Sequence, residues 1–253
     1  MYSEFKNKAV VVTGGASGIG ESTALLFAKE GAKVAVADMD ETAGIAVVDR
    51  IKQLGGKAIF IKTDVSKAED AENMVKKTVE SFGRLDYACN VAGIFCQAVS
   101  LEKQPLEMVK KVIDIDLMGV FNCIKYEAPE IAKHGNGAIV NVSSVQGVIA
   151  NRGSSPYAAA KAGVIHLTKA SALDFIKSGV RINCVSPASV KTPAIVKAFA
   201  NQPEIEKAAI AALPIGRLSE PEELAQPILW LCSDSSSYVV GHNLIVDGGK
   251  TIE

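Results

Sequence analysis

The sequence predicts an α/β fold, a doubly wound seven-stranded parallel sheet with helices on both faces, in one domain spanning residues 1–253. Short runs rich in Val, Ile and Ala recur along the chain, and a longer amphipathic stretch follows each, which is the pattern of β-α-β units. The runs are nearly continuously apolar, as strands covered on both faces must be. No Pro-, Gly- or Ser-rich linker divides the chain, and no period repeats.

In chain order, the predicted strands are Ala9 to Val12, Lys33 to Ala37, Ala58 to Lys62, Leu85 to Cys89, Ala138 to Val142, Arg181 to Val185 and Asn243 to Val246. Helices fill the intervals. Ser66-Lys67-Ala68-Glu69 and Ser219-Glu220-Pro221-Glu222 have the Ser-x-x-Glu form of a capping box, and Asp40 is a further N-cap. Between Ala188 and Arg217, Pro193, Pro203 and Pro214 interrupt a mildly helical apolar stretch after the sixth strand. Ligands of open α/β sheets bind outside the carboxyl ends of the strands, so residues 188–217 are expected to form a lid.

Composition excludes several function classes. The 27 basic and 28 acidic residues leave a formal charge of −1, which offers no basic face to nucleic acid. No apolar run approaches the length of a membrane helix. The segment Met1 to Lys8 lacks the apolar stretch of a secretion signal, Tyr2 stands where myristoylation needs glycine, and Lys250-Thr251-Ile252-Glu253 matches no C-terminal signal. A cytoplasmic location is expected. The cysteines at 89, 96, 123, 184 and 232 are odd in number and widely spaced, so they read as reduced thiols. His134, His166 and His242 lack ligand spacing, so no metal site is expected.

Immediately after the first strand runs Thr13-Gly14-Gly15-Ala16-Ser17-Gly18-Ile19-Gly20, leading into a helix. This is not the G-x-G-x-x-G spacing, yet the same physics applies. Glycines permit a tight turn, let backbone approach a pyrophosphate, and aim the free N–H groups of a helix start at its charge. About 20 residues on, Asp38 closes the second strand, where a carboxylate accepts from a ribose hydroxyl and repels a 2′-phosphate. With no Arg in the turn or beside Asp38, NAD(H) is expected in preference to NADP(H). The alternative is that Asp38 caps a turn before Asp40 and Glu41.

Tyr157 and Lys161 stand four apart in a helical run and share a face, where an ammonium would favour the phenolate. Spacing alone proves little, since Tyr2 and Lys6 have it too. The strand before that helix ends in Ser143 and Ser144, and alternation sends the two to opposite faces, so at most one meets the phenol. Neither sits in a Gly-x-Ser-x-Gly elbow.

From Val10 to Gly249 the chain resembles the short-chain dehydrogenases/reductases, single-domain enzymes of the Rossmann type. The family's Thr-Gly-x-x-x-Gly-x-Gly turn is similar to Thr13 to Gly20, its Asp-Val to Asp64-Val65, and its Asn-x-Ala-Gly to Asn90-Val91-Ala92-Gly93. Its Pro-Gly-x-Val-x-Thr resembles Pro187-Ala188-Ser189-Val190-Lys191-Thr192, and its terminal Asp-Gly-Gly resembles Asp247-Gly248-Gly249. The family step of thirteen residues from Ser to Tyr selects Ser144. The resemblance implies that Tyr157 is the acid/base, that Lys161 binds the nicotinamide ribose and lowers the phenol's pKa, and that Ser144 polarises the substrate oxygen. It also implies cofactor contacts from Gly14, Ser17, Gly18, Ile19, Gly20, Asp38, Asp64, Val65, Asn90, Ala92, Gly93, Pro187, Val190 and Thr192, and a homotetramer or homodimer.

Two departures stand out. Asp116-Leu117-Met118-Gly119 replaces the family's Asn-Leu-x-Gly, which removes an amide donor and adds a negative charge near Lys161. Asp116 is expected still to anchor the water relay to Lys161; the alternative is a relaxed helix position. Ala188 replaces a glycine, which costs little unless that loop is left-handed.

The expected reaction is hydride transfer between nicotinamide and a secondary alcohol or ketone. Phe95, Gln146 and Asn151, with Ile195 and Phe199 of the lid, are the expected substrate walls. They suit a medium-sized molecule, open-chain or cyclic, with an extra polar group. Two rivals are a dinucleotide-binding regulator without catalysis and a sugar-nucleotide epimerase or dehydratase. The epimerase normally needs a C-terminal substrate domain for which few residues remain.

Overall fold

The computed structural model describes residues 2–96, 98–200 and 202–252. Met1 and Glu253 of the terminal segments, and Asn201 inside the expected lid, lie outside them. Chain order gives β1 (Ala9–Thr13), α1 (Gly18–Lys29), β2 (Lys33–Asp38), α2 (Glu41–Gln53), β3 (Lys57–Lys62), α3 (Ala68–Phe82) and β4 (Tyr87–Asn90). Then follow α4 (Leu106–Ile113), α5 (Gly119–Ala132), β5 (Gly137–Val142), α6 (Ser155–Phe175) and β6 (Val180–Pro187). The chain closes with α7 (Pro193–Phe199), α8 (Pro203–Ala211), α9 (Pro221–Cys232) and β7 (Asn243–Val246).

All seven strands form one parallel sheet in the order β3-β2-β1-β4-β5-β6-β7. Strand alternation divides its apolar residues between two cores. Val10, Val12, Val34 and Val36 pack under α1, α2 and α9 with Phe27, Ile51 and Leu229. On the other face, Val11, Ala35 and Ile139 pack under α3, α5 and α6 with Met74, Ile124 and Val164. Every residue of β1, β4, β5 and β6 is buried, which explains why apolar residues stand on both faces of these strands.

The predicted strands all form, with ends displaced by one or two residues. The two capping boxes do not form as expected. Ser66 gives both its N–H and its hydroxyl to Asp64 Oδ1 (3.1 and 2.6 Å), a local turn that outcompetes capping, so α3 starts after Lys67. In α9 the box moves on by one residue: Glu223 accepts from the Glu220 N–H at 2.9 Å. Pro221 is the cause, because its fixed φ and missing N–H suit the first helical position. Asp40 caps α2 as expected, accepting from Ala43 at 3.0 Å.

Between α4 and α5, residues Asp114–Met118 form a π-helical turn. It carries Asp116 inward with no solvent exposure. Such bulges re-aim a side chain without ending the helix.

Candidate active site

At the β1/β4 junction the strand order reverses, so the loops leaving the two strands diverge. A cavity of about 620 Å³ opens there, at the carboxyl ends of the strands. It runs from the glycine turn to the start of α6 and on under the 188–217 segment.

The glycine turn admits only glycine at its crossing points. A Cβ on Gly20 would stand 2.0 Å from the Gly14 carbonyl oxygen, and Gly18 has φ +54° with Thr192 2.9 Å from where its Cβ would lie. Ser17 precedes α1 without a side-chain cap, so the helix start keeps its N–H groups for an anion. Thr13 secures the turn from below, its Oγ1 accepting from Val91 (3.1 Å) and Ala92 (3.3 Å). Asp38 lines the same end of the cavity. Its carboxylate accepts from the Ala16 and Asp40 N–H groups, each at 3.0 Å, which fixes its plane and leaves lone pairs for a further donor. It therefore holds the turn as well as facing the cavity. The cation opposite it in the ladder, Lys62, pairs with Glu41 at 3.9 Å.

Asp64, Val65, Ala92, Gly93, Pro187, Val190 and Thr192 also line the cavity. Asn90 does not. Its carboxamide is buried behind the sheet, donating to Glu127 Oε2 (2.9 Å) and Asn141 Oδ1 (3.0 Å), so the expected cofactor contact is replaced by a cross-strand bond. Ala188 adopts no positive φ, so the lost glycine costs the loop nothing.

Ser144, Tyr157 and Lys161 converge on the middle of the cavity. Ser144 hydrogen-bonds with the Tyr157 phenol, whereas Ser143 donates to the Lys161 carbonyl at 2.7 Å. Alternation thus separates the two serines as expected. Lys161 is buried, donates to the Val142 carbonyl at 3.3 Å, and holds its ammonium 5.6 Å from the Tyr157 ring centroid. Burial pushes the phenol's pKa far up, the Asp116 charge adds to the rise, and the Ser144 hydrogen bond opposes both. Burial therefore outweighs the lowering expected from Lys161.

Asp116 lies outside the cavity wall, directly behind Lys161. Its Oδ1 accepts from the Ile94 N–H at 2.7 Å, and Oδ2 is buried without a partner among the described residues. Burial raises this carboxyl's pKa, with the Lys161 ammonium and the Ile94 N–H pulling it back. Holding Ile94 also sets the neighbouring Phe95, whose ring lies 5.4 Å from that of Tyr157.

Of the expected substrate walls, Phe95, Gln146, Asn151 and Ile195 line the cavity, while Phe199 does not. Sequence reading missed Met39, Ile149, Leu213 and Lys250 of the lining, which come from loops and helix ends with no periodic signature. It also missed Glu127, fully buried on α5 although its near neighbours in sequence include Lys125 and Glu130.

A glycine turn at an uncapped helix start, the acid Asp38 and a Ser-Tyr-Lys group share one cavity, the arrangement of a nicotinamide-dependent oxidoreductase. Sequence comparison agrees: residues 14–251 match the family profile described as Enoyl-(Acyl carrier protein) reductase. The chain is 44% identical over 252 residues to Cyclohexanol dehydrogenase of Acinetobacter sp., covering 99% of this chain and 98% of that one. It is 40% identical over 250 residues to 2,5-dichloro-2,5-cyclohexadiene-1,4-diol dehydrogenase of Sphingobium indicum, covering 98% and 99%. A short-chain type dehydrogenase/reductase from Mycobacterium marinum superposes with a TM-score of 0.93 at 33% identity, covering 98% and 97%. The chain belongs to the short-chain dehydrogenase/reductase family and is an oxidoreductase. Among the described residues, no helix is long and apolar enough to cross a membrane.

Proposed function

We propose that this enzyme uses NAD(H) in preference to NADP(H) and interconverts a ring secondary alcohol and its ketone. The observation that carries the reading is the convergence of Ser144, Tyr157 and Lys161 in one cavity with the glycine turn. The relatives named for cyclohexanol and a cyclohexadiene diol support a ring substrate. An intact Ser-Tyr-Lys group also favours catalysis over a regulator.

The uncapped start of α1, with Gly14, Gly18, Ile19 and Gly20, suits a pyrophosphate. Asp38 accepts from the adenosine ribose, Asp64 and Val65 flank the adenine, and Ala92, Gly93, Pro187, Val190 and Thr192 hold the other half. A bound nicotinamide supplies the hydride acceptor or donor. Ser144 holds the substrate oxygen. Tyr157 takes the alcohol's proton in oxidation and returns it to the ketone oxygen in reduction. Lys161 orients the ribose and stabilises the phenolate, and Asp116 anchors the proton relay that ends at Lys161.

Residues 188–217 act as a lid within the single domain. The described residues of α7 and α8 include none that is buried, so these two helices open at low cost, while Ala194, Ile195 and Ala209 face the cavity. Exposed Met118, Phe121 and Leu173 on the outer faces of α5, its leading turn and α6 support a homotetramer or homodimer. Five free thiols support a reducing, cytoplasmic setting.

The test is nicotinamide absorbance with NAD⁺ or NADP⁺ and a panel of cyclic alcohols, and with the reduced cofactors and cyclic ketones. Turnover with NAD⁺ that falls by ~10²-fold or more in Tyr157→Phe supports the reading. Cofactor binding without turnover on the whole panel sinks it.

A further inference from the structure

Gln146 sits two residues beyond Ser144, and its backbone N–H donates to the Ser144 hydroxyl at 3.2 Å. Its position is therefore tied to the group that meets the Tyr157 phenol. The side chain is tethered as well: Gln146 Oε1 accepts from Ser154 Oγ, and Ser154 immediately precedes α6, the helix that carries Tyr157 and Lys161. With its acceptor used, the carboxamide keeps an NH₂ group that has no hydrogen-bond partner among the described residues, on a side chain that lines the cavity. The walls around the substrate end are otherwise mainly apolar, from Ile94, Phe95, Val145, Ile149, Ile195 and Leu213. A fixed donor among apolar walls stays unsatisfied against a plain hydrocarbon ring and is satisfied by a ring bearing an acceptor oxygen.

We propose that Gln146 determines specificity by donating to a second oxygen of the substrate, remote from the carbon that reacts. The inference rests on the ring-alcohol reading and narrows it to cyclic alcohols or ketones that carry a further hydroxyl or carbonyl. A hydroxyl or carbonyl oxygen accepts from the amide, whereas an unsubstituted ring leaves that donor desolvated.

The experiment compares kcat/KM, with NAD⁺, for cyclohexanol, the cyclohexanediol isomers and the hydroxycyclohexanones. Variants are Gln146→Leu, Gln146→Glu and Ser154→Ala, each checked by thermal melting. In the wild type, the best diol or hydroxyketone exceeds cyclohexanol by about ten-fold, the scale of one well-made hydrogen bond. Gln146→Leu lowers that ratio by about ten-fold, chiefly through KM. Gln146→Glu lowers it for hydroxyketones more than for diols, because a carboxylate only accepts and a hydroxyl can turn to donate. Ser154→Ala frees the amide and lowers the ratio by about three-fold, which keeps the test alive if Gln146→Leu does not fold. A wild-type ratio near one, or a ratio retained in both Gln146→Leu and Ser154→Ala, overturns the role of Gln146 while the ring-alcohol reading stands. Turnover of no cyclic alcohol at all overturns both.

Discussion

The Asp116 carboxylate and the Lys161 ammonium meet at Gly93, where a Cβ would lie 3.1 Å from Asp116 Oδ1 and 3.2 Å from Lys161 Nζ. The glycine is what lets a buried carboxylate stand so near the Lys161 ammonium. Tyr157 feels that charge, which adds to the upward push of burial on its phenol. Replacing Asp116 by Asn removes the charge and keeps the shape, so phenol deprotonation becomes easier. The acidic limb of kcat/KM for alcohol oxidation should move down by ~1 pH unit in Asp116→Asn. A rate and profile both identical to wild type would leave Asp116 without the role assigned to it.

The proposed cofactor preference rests on the charge of Asp38, whose geometry is set by two backbone N–H groups. Asp38→Asn should raise the ratio of NADP⁺ to NAD⁺ efficiency by about ten-fold, or ~1.4 kcal/mol of relieved repulsion. Steady-state assays with both cofactors give that ratio. Equal use of the two by the wild type would contradict the repulsion.

Gly20 faces the tightest contact in the glycine turn, with the Gly14 oxygen 2.0 Å from its missing Cβ. Gly20→Ala must displace the turn, costing on the order of 1–3 kcal/mol of stability and weakening dinucleotide binding. Thermal melting and a dinucleotide titration measure the two effects. Wild-type values for both would show that the turn can yield without cost.

Glu127 is fully buried against Asn90, and burial pushes its carboxyl up to about 8 from 4.5, with the Asn90 hydrogen bond opposing. The folded state therefore binds this proton more tightly than the unfolded chain does. Its stabilising contribution is complete below the ordinary glutamate value and is lost as pH rises through the folded value. Urea unfolding at pH 5.5 and 8.5 should give a wild type weaker at the higher pH by on the order of a few kcal/mol. Glu127→Gln should flatten that difference. A variant as pH-sensitive as the wild type would place the effect elsewhere.

Much of this was legible in the chain. Mainly apolar runs of four or five residues marked all seven strands, because a strand packed against a core cannot hide its composition. Tyr157 and Lys161 declared a shared face through helical spacing alone, and strand alternation separated Ser143 from Ser144. Those properties are set by local backbone geometry, which repeats wherever the sequence pattern does.

Other features were decided by which segments fold against each other. Asn90 reads as a cofactor residue until β5 brings Asn141, and α5 brings Glu127, to take its amide. Asp116 reads as a substituted helix residue until the π-turn aims it at Ile94 and Lys161. Gln146 becomes an oriented donor only because Ser154, just ahead of α6, donates to its amide oxygen. The sequence by itself determined the α/β class, the strand positions and the shared Tyr157-Lys161 face, since period and composition are written residue by residue. Tertiary structure alone assigned each buried polar group its partner, because desolvation and hydrogen bonding depend on neighbours distant in the chain.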